Sequence, residues 1–469
     1  MERQQKIVLS VLVLGTMMGA LDSTIVILAF PVIAEKLNAD LLTTMWIILI
    51  YLLVVAVLTV QLGRLGDIFG RPRMFNLGFG IFTAGSFLCG ISPTINMLIL
   101  FRGVQALGGA FMESNSGAII ADIFPPNSRG AAFGYNSMGW TIGAMFGIVL
   151  GGVITTFFGW EYIFFMNIPI GIVALYLGLR YIKVTTRIRA SLDIAGMVLL
   201  GAALTLISFG AVDFAGYGLS LRAVALAVMG IILIPVFIRH ELHTEAPMID
   251  FASLSRHILK YSLLAAFFQS LGYIAMVFLI IMYLQGIRGL SPLDAALLLT
   301  PGYIVGSVLG PYMGKLSDRI GARFIATGGT MVISAAILIY MTLQVDTSLY
   351  VVLIASFVSG VGTSMFYPAN NSAIMANARE EDYGSVSGTL RMVQNTGILG
   401  SYVVAISVAS ASIPRELAFE VFVGTSVLVG HVTDAFIKGI DAALLVALIL
   451  LILAGAMSWS RGSEQRGSV

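Results

Sequence analysis

Charge is scarce in this chain. Asp, Glu, Lys and Arg make up 11% of its 469 residues, whereas soluble domains carry about 25%, so an ordinary soluble globule is excluded. A soluble enzyme on a single anchor is excluded too, because 58% of the residues are hydrophobic. Cysteine is almost absent: the lone Cys89 leaves no intrachain disulfide and no thiolate cluster for a metal. The four histidines are scattered without zinc spacing. No metal spacing or serine–base pair falls at one membrane depth, which argues against a membrane enzyme and leaves no cofactor to expect. The formal charge of +2 is too small for a nucleic-acid surface.

What is abundant is apolar sequence in long runs. A helix needs about 20 such residues to cross a bilayer, and runs of that order fall at about 7–33, 44–62, 75–92, 96–121, 130–156, 163–182, 193–212, 221–238, 258–284, 293–313, 324–343, 349–376, 385–410 and 437–458. The expectation is an all-α polytopic membrane protein with 14 transmembrane helices. The first run is too long for a signal-peptide core and has no convincing cleavage site. Segment 412–436, with Arg415, Glu416, Glu420, His431 and Asp434, reads as extracellular and interfacial or folded back.

Positive charge is retained on the cytoplasmic side. With the N-terminus inside, nineteen of the 26 Lys and Arg residues face the cytoplasm, five face outward, and Arg102 and Arg391 lie within spans. An even span count with both termini cytoplasmic, in a plasma membrane, preserves that bias.

An internal repeat organises the spans. GRLGDIFG at 63–70 recurs as GKLSDRIG at 314–321, and Phe111, Asn115, Ala118 and Ile119 recur as Phe366, Asn370, Ala373 and Ile374. Gly130, Gly134 and Gly143 recur as Gly384, Gly388 and Gly397. The division is a six-helix half at 1–183, an inserted two-helix hairpin with its linkers at 184–257, and a second six-helix half at 258–469. Parallel six-helix copies with a site between them are the architecture of a rocking carrier.

Four strings carry a family resemblance. GRLGDIFGRPR (63–73) resembles the loop signature of the major facilitator superfamily. RGVQALGGA (102–110) is similar to the Arg-x-x-Gln-Gly signature of that superfamily's drug:proton antiporters, with Ala106 replacing a glycine. ALDSTIVILAFPVIA (20–34) and WEYIFFMNIPIG (160–171) resemble the fourteen-span branch. One departure stands out: the span-5 signature expects a proline that Gly147-Ile148-Val149-Leu150-Gly151-Gly152 lacks. The resemblance implies two six-helix halves plus two inserted helices. It also implies proton-coupled export, and a latch between the halves at Gly63, Asp67, Arg71 and Asp318. Independently of the family, Gly143, Gly147 and Gly151 recur every four residues and predict close helix packing.

Ionisable residues inside spans cost at least about 2.5–3.5 kcal/mol and need a compensating role. Asp22 lies near mid-membrane at the depth of Arg102, either as a static pair with it or as a carboxylate that exchanges a proton when substrate binds. Glu113, nearer the cytoplasmic mouth, has the uncharged Pro368 as its repeat counterpart and reads as a second proton carrier or as a cation attractor. Arg391 either snorkels to the interface or gates. Trp46, Trp140, Phe268, Gln269, Tyr273, Tyr303, Tyr367, Asn370 and Asn371, with Gln105 and Asn115, are candidate cavity residues, since aromatics and amides suit amphipathic molecules. The expected function is export of hydrophobic or cationic organic compounds by a monomer whose partners are small organic substrate, membrane lipid and protons. A lipid or metabolite exporter shares these features, and a non-transporting sensor is the remaining alternative.

Overall fold

The structure, a computed structural model, describes residues 3–39, 41–125, 127–182, 192–244, 247, 256–409 and 431–462. All regular structure among them is helical: α1 Arg3–Lys36, α2 Leu41–Phe69, α3 Arg71–Gly90, α4 Ile95–Ile123, α5 Arg129–Phe157, the short α6 Tyr162–Phe165, α7 Asn167–Tyr181, α8 Ile194–Tyr217, α9 Leu221–His243, α10 His257–Met282, α11 Pro292–Ile320, α12 Ala322–Tyr340, α13 Tyr350–Ala376, α14 Tyr383–Ala409 and α15 His431–Ser460. A π-helical turn, Tyr283–Ile287, extends α10.

Eleven helical stretches among the described residues are long and apolar enough to cross a membrane, with α6 and α7 counting as one. The sequence reading expected fourteen. The helices outside that count are α3, α5 and α14, which are 20, 29 and 27 residues long. Large apolar side chains point outward all round, among them Leu100, Ile172, Leu221 and Tyr312, as a lipid-facing surface requires. Residues 412–430 and most of both linkers lie outside the described residues. From His431 the chain is already in α15, earlier than the span expected to begin at 437.

The repeat is visible in the backbone. Gly70 and Gly321, equivalent positions, both adopt a φ of +103° at the turns joining α2 to α3 and α11 to α12; a left-handed residue there favours glycine. A Cβ on Gly78 or Gly108 would strike the other helix of the α3–α4 pair, and Gly329 and Gly362 do the same for α12 and α13. Gly143 and Gly147 bring α5 against the carbonyls of Met17 and Leu21, with Gly151 against Ile25, so this glycine face seats α1.

Helices α1–α7 pack among themselves, as do α10–α15. The two groups meet crosswise, α2 on α14 and α5 on α11, which are equivalent pairs exchanged between halves. Helices α8 and α9 pack on each other and reach the rest mainly through α8 on α2. Asp193 caps α8 through the Gly196 N–H (2.7 Å) and meets His240 Nε2 at 3.0 Å, while Gln61 of α2 donates to its carbonyl (2.8 Å). Burial pushes the Asp193 carboxyl up, but the Gly196, His240 and Glu241 bonds outweigh it and hold it below the usual range.

Candidate functional site

The two halves touch most closely at the end of the bundle where α2 and α11 finish. A Cβ on Gly63 would collide with the Gly384 backbone, and one on Gly130 with that of Gly314. Asp67 accepts from the N–H groups of Gly384 (3.2 Å) and Ser385 (3.3 Å) at the start of α14. Its repeat partner Asp318 accepts from Gly130 (2.9 Å) and Ala131 (3.0 Å) at the start of α5. Each carboxylate thus fills the N-terminus of a helix in the opposite half, where backbone donors are free and the helix dipole favours negative charge.

Arg71 reinforces one tie: it donates to Asp67 (2.8 Å), to Asp122 and to the Glu380 carbonyl (2.8 Å). The sequence reading missed Arg129 and Tyr383. Arg129 crosses the halves, donating to the Phe124 carbonyl (2.9 Å), the Tyr383 hydroxyl (2.8 Å) and the Met375 carbonyl (3.3 Å). The Tyr383 ring lies 5.5 Å from one guanidinium and 5.1 Å from the other. A tyrosine at a helix start has no sequence signal that marks it as a pin between two arginines.

Deeper in the first half is a sealed polar network. Asp22 is 0% exposed and accepts from Arg102 Nη1 (2.5 Å), Gln105 Nε2 (2.8 Å) and Asn167 Nδ2 (3.0 Å). Arg102 also donates to the Gln105 side chain (2.7 Å) and the Ile47 carbonyl (3.1 Å), and it lies 4.7 Å from the Tyr51 ring. Of the two readings the sequence leaves for Asp22, this arrangement shows the pair with Arg102, with three donors joining α1, α4 and α7 around a fully buried carboxylate. Gln105, expected against substrate, belongs to the same joint.

Glu113 is placed differently. It lines a narrow cavity of about 20 Å³ with Gly15, Thr16, Gly19, Phe75, Gly109, Met112, Trp140 and, from the opposite half, Arg391. Asn395 Nδ2, one turn beyond Arg391, donates to Glu113 at 3.4 Å. Tyr51 stands between this cavity and the Asp22 network, its hydroxyl close to Gly19 and Gly109.

The other expected cavity residues scatter. Trp140 alone of the substrate candidates lines the Glu113 cavity. Trp46 packs on Phe209 of the hairpin, with ring centroids 4.1 Å apart. Asn115 donates to the Phe111 and Leu62 carbonyls (2.9 and 3.3 Å), fixing α4 to α2, and Asn370 donates to the Ser262 carbonyl (3.1 Å), fixing α13 to α10. Phe268 packs on Phe267, and Tyr367 packs edge-on against Phe366. Gln269 and Asn371 are buried. Tyr303 lines a second narrow cavity of about 20 Å³ with Tyr273 and Tyr340. Periodicity cannot separate an amide that satisfies a neighbouring helix from one that faces a cavity.

The sequence profile of the Major Facilitator Superfamily matches residues 12–401. The chain belongs to that superfamily. It is a multi-pass membrane protein and a secondary transporter, not an enzyme, and a small-molecule substrate follows from the family. Major facilitator relatives include the riboflavin transporter RibZ of Clostridioides difficile, 31% identical over 84% of this chain and 86% of that protein. The tetracenomycin C resistance and export protein of Streptomyces glaucescens is 29% identical over 84% of this chain and 74% of its own length. The multidrug efflux pump LfrA of Mycolicibacterium smegmatis is 27% identical over 88% and 84%. The crystal structure of the human organic anion transporter MFSD10 superposes with a TM-score of 0.67 over 98% of this chain and all of that one, at 15% identity, which speaks to the fold alone.

Proposed function

We propose that the protein is a proton-coupled exporter of hydrophobic or cationic organic compounds, working by alternating access as a monomer in the plasma membrane. The observation that carries this reading is an acid, Glu113, facing a cavity between halves whose closest contacts lie at one end of the bundle. Substrate enters that cavity when the ties at Asp67 and Asp318 part, and leaves when they re-form; a proton moves in the opposite sense through Glu113. In this reading α3, α5 and α14 also span, giving fourteen crossings, and the positive-charge bias puts both termini and the Asp67–Asp318 end in the cytoplasm. The drug-export names of several relatives support it. The riboflavin relative favours a second reading, export of a flat endogenous metabolite.

The test is uptake into proteoliposomes under an imposed pH gradient, with hydrophobic cationic dyes and riboflavin as probes. Dye accumulation that follows the gradient and collapses with a protonophore is expected. Accumulation of riboflavin but no dye favours the second reading, and transport indifferent to the gradient overturns proton coupling.

The ties predict a separate result. Asp67→Ala or Asp318→Ala should shift the balance between inward- and outward-facing states by about 1–3 kcal/mol, a five- to hundred-fold change in population, and slow turnover while substrate still binds. Neither carboxylate lines the Glu113 cavity. Unchanged turnover with weakened binding would remove the latch role.

A further inference from the structure

We infer that the cavity between the halves takes an amphipathic zwitterion, a compact aromatic or aliphatic body with an amine and a carboxylate at one end. The inference rests on reading that cavity as the substrate site and narrows the cationic class proposed for it to cations that also carry a carboxylate, simple cations being the weaker ligands. Glu113 comes from one half and Arg391 from the other, and both line the same narrow space between the halves. Neither takes part in any of the ion pairs among the described residues. Among the described residues Glu113 has one long hydrogen bond, from Asn395 at 3.4 Å, and Arg391 has one, to Gln394 Oε1 at 3.3 Å, while the Arg391 charge acts on Glu113 without direct contact.

The same bundle shows what a satisfied buried pair looks like. Asp22 and Arg102 are in direct contact at 2.5 Å, and three donors converge on the carboxylate within 3.0 Å. A carboxylate offers about four acceptor positions and a guanidinium five donors, so Glu113 and Arg391 hold most of their capacity in reserve, facing one cavity. Charges at membrane depth left in that condition mark a binding function.

The remaining wall selects the body of the ligand. Gly15 and Gly109 let the Phe75, Phe79 and Tyr51 side chains lie close against the backbone, and Phe75, Met112 and Trp140 supply apolar faces. A side chain at position 19 would begin 3.9 Å from Glu113 Oε1, so glycine there keeps the acid open to the cavity. A simple cation would satisfy Glu113 and be repelled by Arg391; a simple anion would do the reverse. A zwitterion pairs with both and adds no net charge to a poorly solvated space. Because the two anchors belong to different halves, its affinity depends on how the halves are placed, which is the differential binding that alternating access needs.

The test uses three radiolabelled probes that share one body: 3-(2-naphthyl)alanine, its methyl ester, which is a cation, and its N-acetyl derivative, an anion. Binding to the purified protein should favour the zwitterion over each of the others by about ten-fold. Arg391→Gln should collapse the zwitterion-to-ester ratio towards one, Glu113→Gln should collapse the zwitterion-to-N-acetyl ratio, and Arg391→Lys should restore part of the first. Wild-type protein that binds the ester as well as the zwitterion overturns the inference while leaving a cation exporter standing. The inference also fails if no probe binds to protein that transports a cationic dye, or if Arg391→Gln leaves the ratio intact. Gradient-driven transport of none of the probes or dyes would instead count against the cavity as an export site.

Discussion

Replacing Asp22 by alanine should cost the folded protein about 3–5 kcal/mol, because it leaves the Arg102 charge buried without its counter-ion. Arg102 is 1% exposed and Asp22 is 0% exposed, so water cannot take the place of the lost carboxylate. Gln105 and Asn167 would also lose their shared acceptor, Asp22 Oδ1. Asp22→Asn keeps an acceptor and should cost less. Replacing Asp22 and Arg102 together by apolar residues should cost less than the two single losses summed, since the residues act as one network. The measurement is the unfolding midpoint of the purified protein in detergent. An Asp22→Ala protein that melts like wild type but has lost the pH dependence of substrate binding would return Asp22 to the role of proton carrier.

The second large effect is expected at Glu113. In Glu113→Gln, substrate should no longer release protons from the purified protein, and gradient-driven accumulation should fall to the level of passive equilibration. One proton moving down about 100 mV supplies about 2.3 kcal/mol, and one pH unit adds about 1.4. A neutral substrate exchanged one for one can therefore be concentrated a few hundred-fold, and the variant should lose nearly all of that. Exchange of labelled for unlabelled neutral substrate should persist, because the amide keeps the shape of the cavity. The opposite pattern, release lost in Asp22→Asn and kept in Glu113→Gln, would move the coupled proton out of the cavity and into the buried network.

Much of the architecture was legible in the residues alone. Long apolar runs require spanning helices because a bilayer offers the backbone no hydrogen-bond partners, and they predicted the chain to within a few residues over most of its length. The GRLGDIFG and GKLSDRIG strings carried the duplication, since a left-handed turn favours glycine at Gly70 and again at Gly321. The Gly143, Gly147 and Gly151 face was readable for the same kind of reason: small residues at four-residue spacing have one common use, close approach of another helix.

Asp67 and Asp318 could be picked out by their shared register, but not that each fills the start of a helix in the other half, hundreds of residues away in sequence. Asp22 and Glu113 look alike as lone acids in apolar spans. Only the packed bundle surrounds one with Arg102, Gln105 and Asn167 and leaves the other facing a cavity opposite Arg391. Helical periodicity states which residues share a face. Whether that face meets a neighbour, lipid or open space depends on how separate helices are placed against one another, and that placement is decided by tertiary packing.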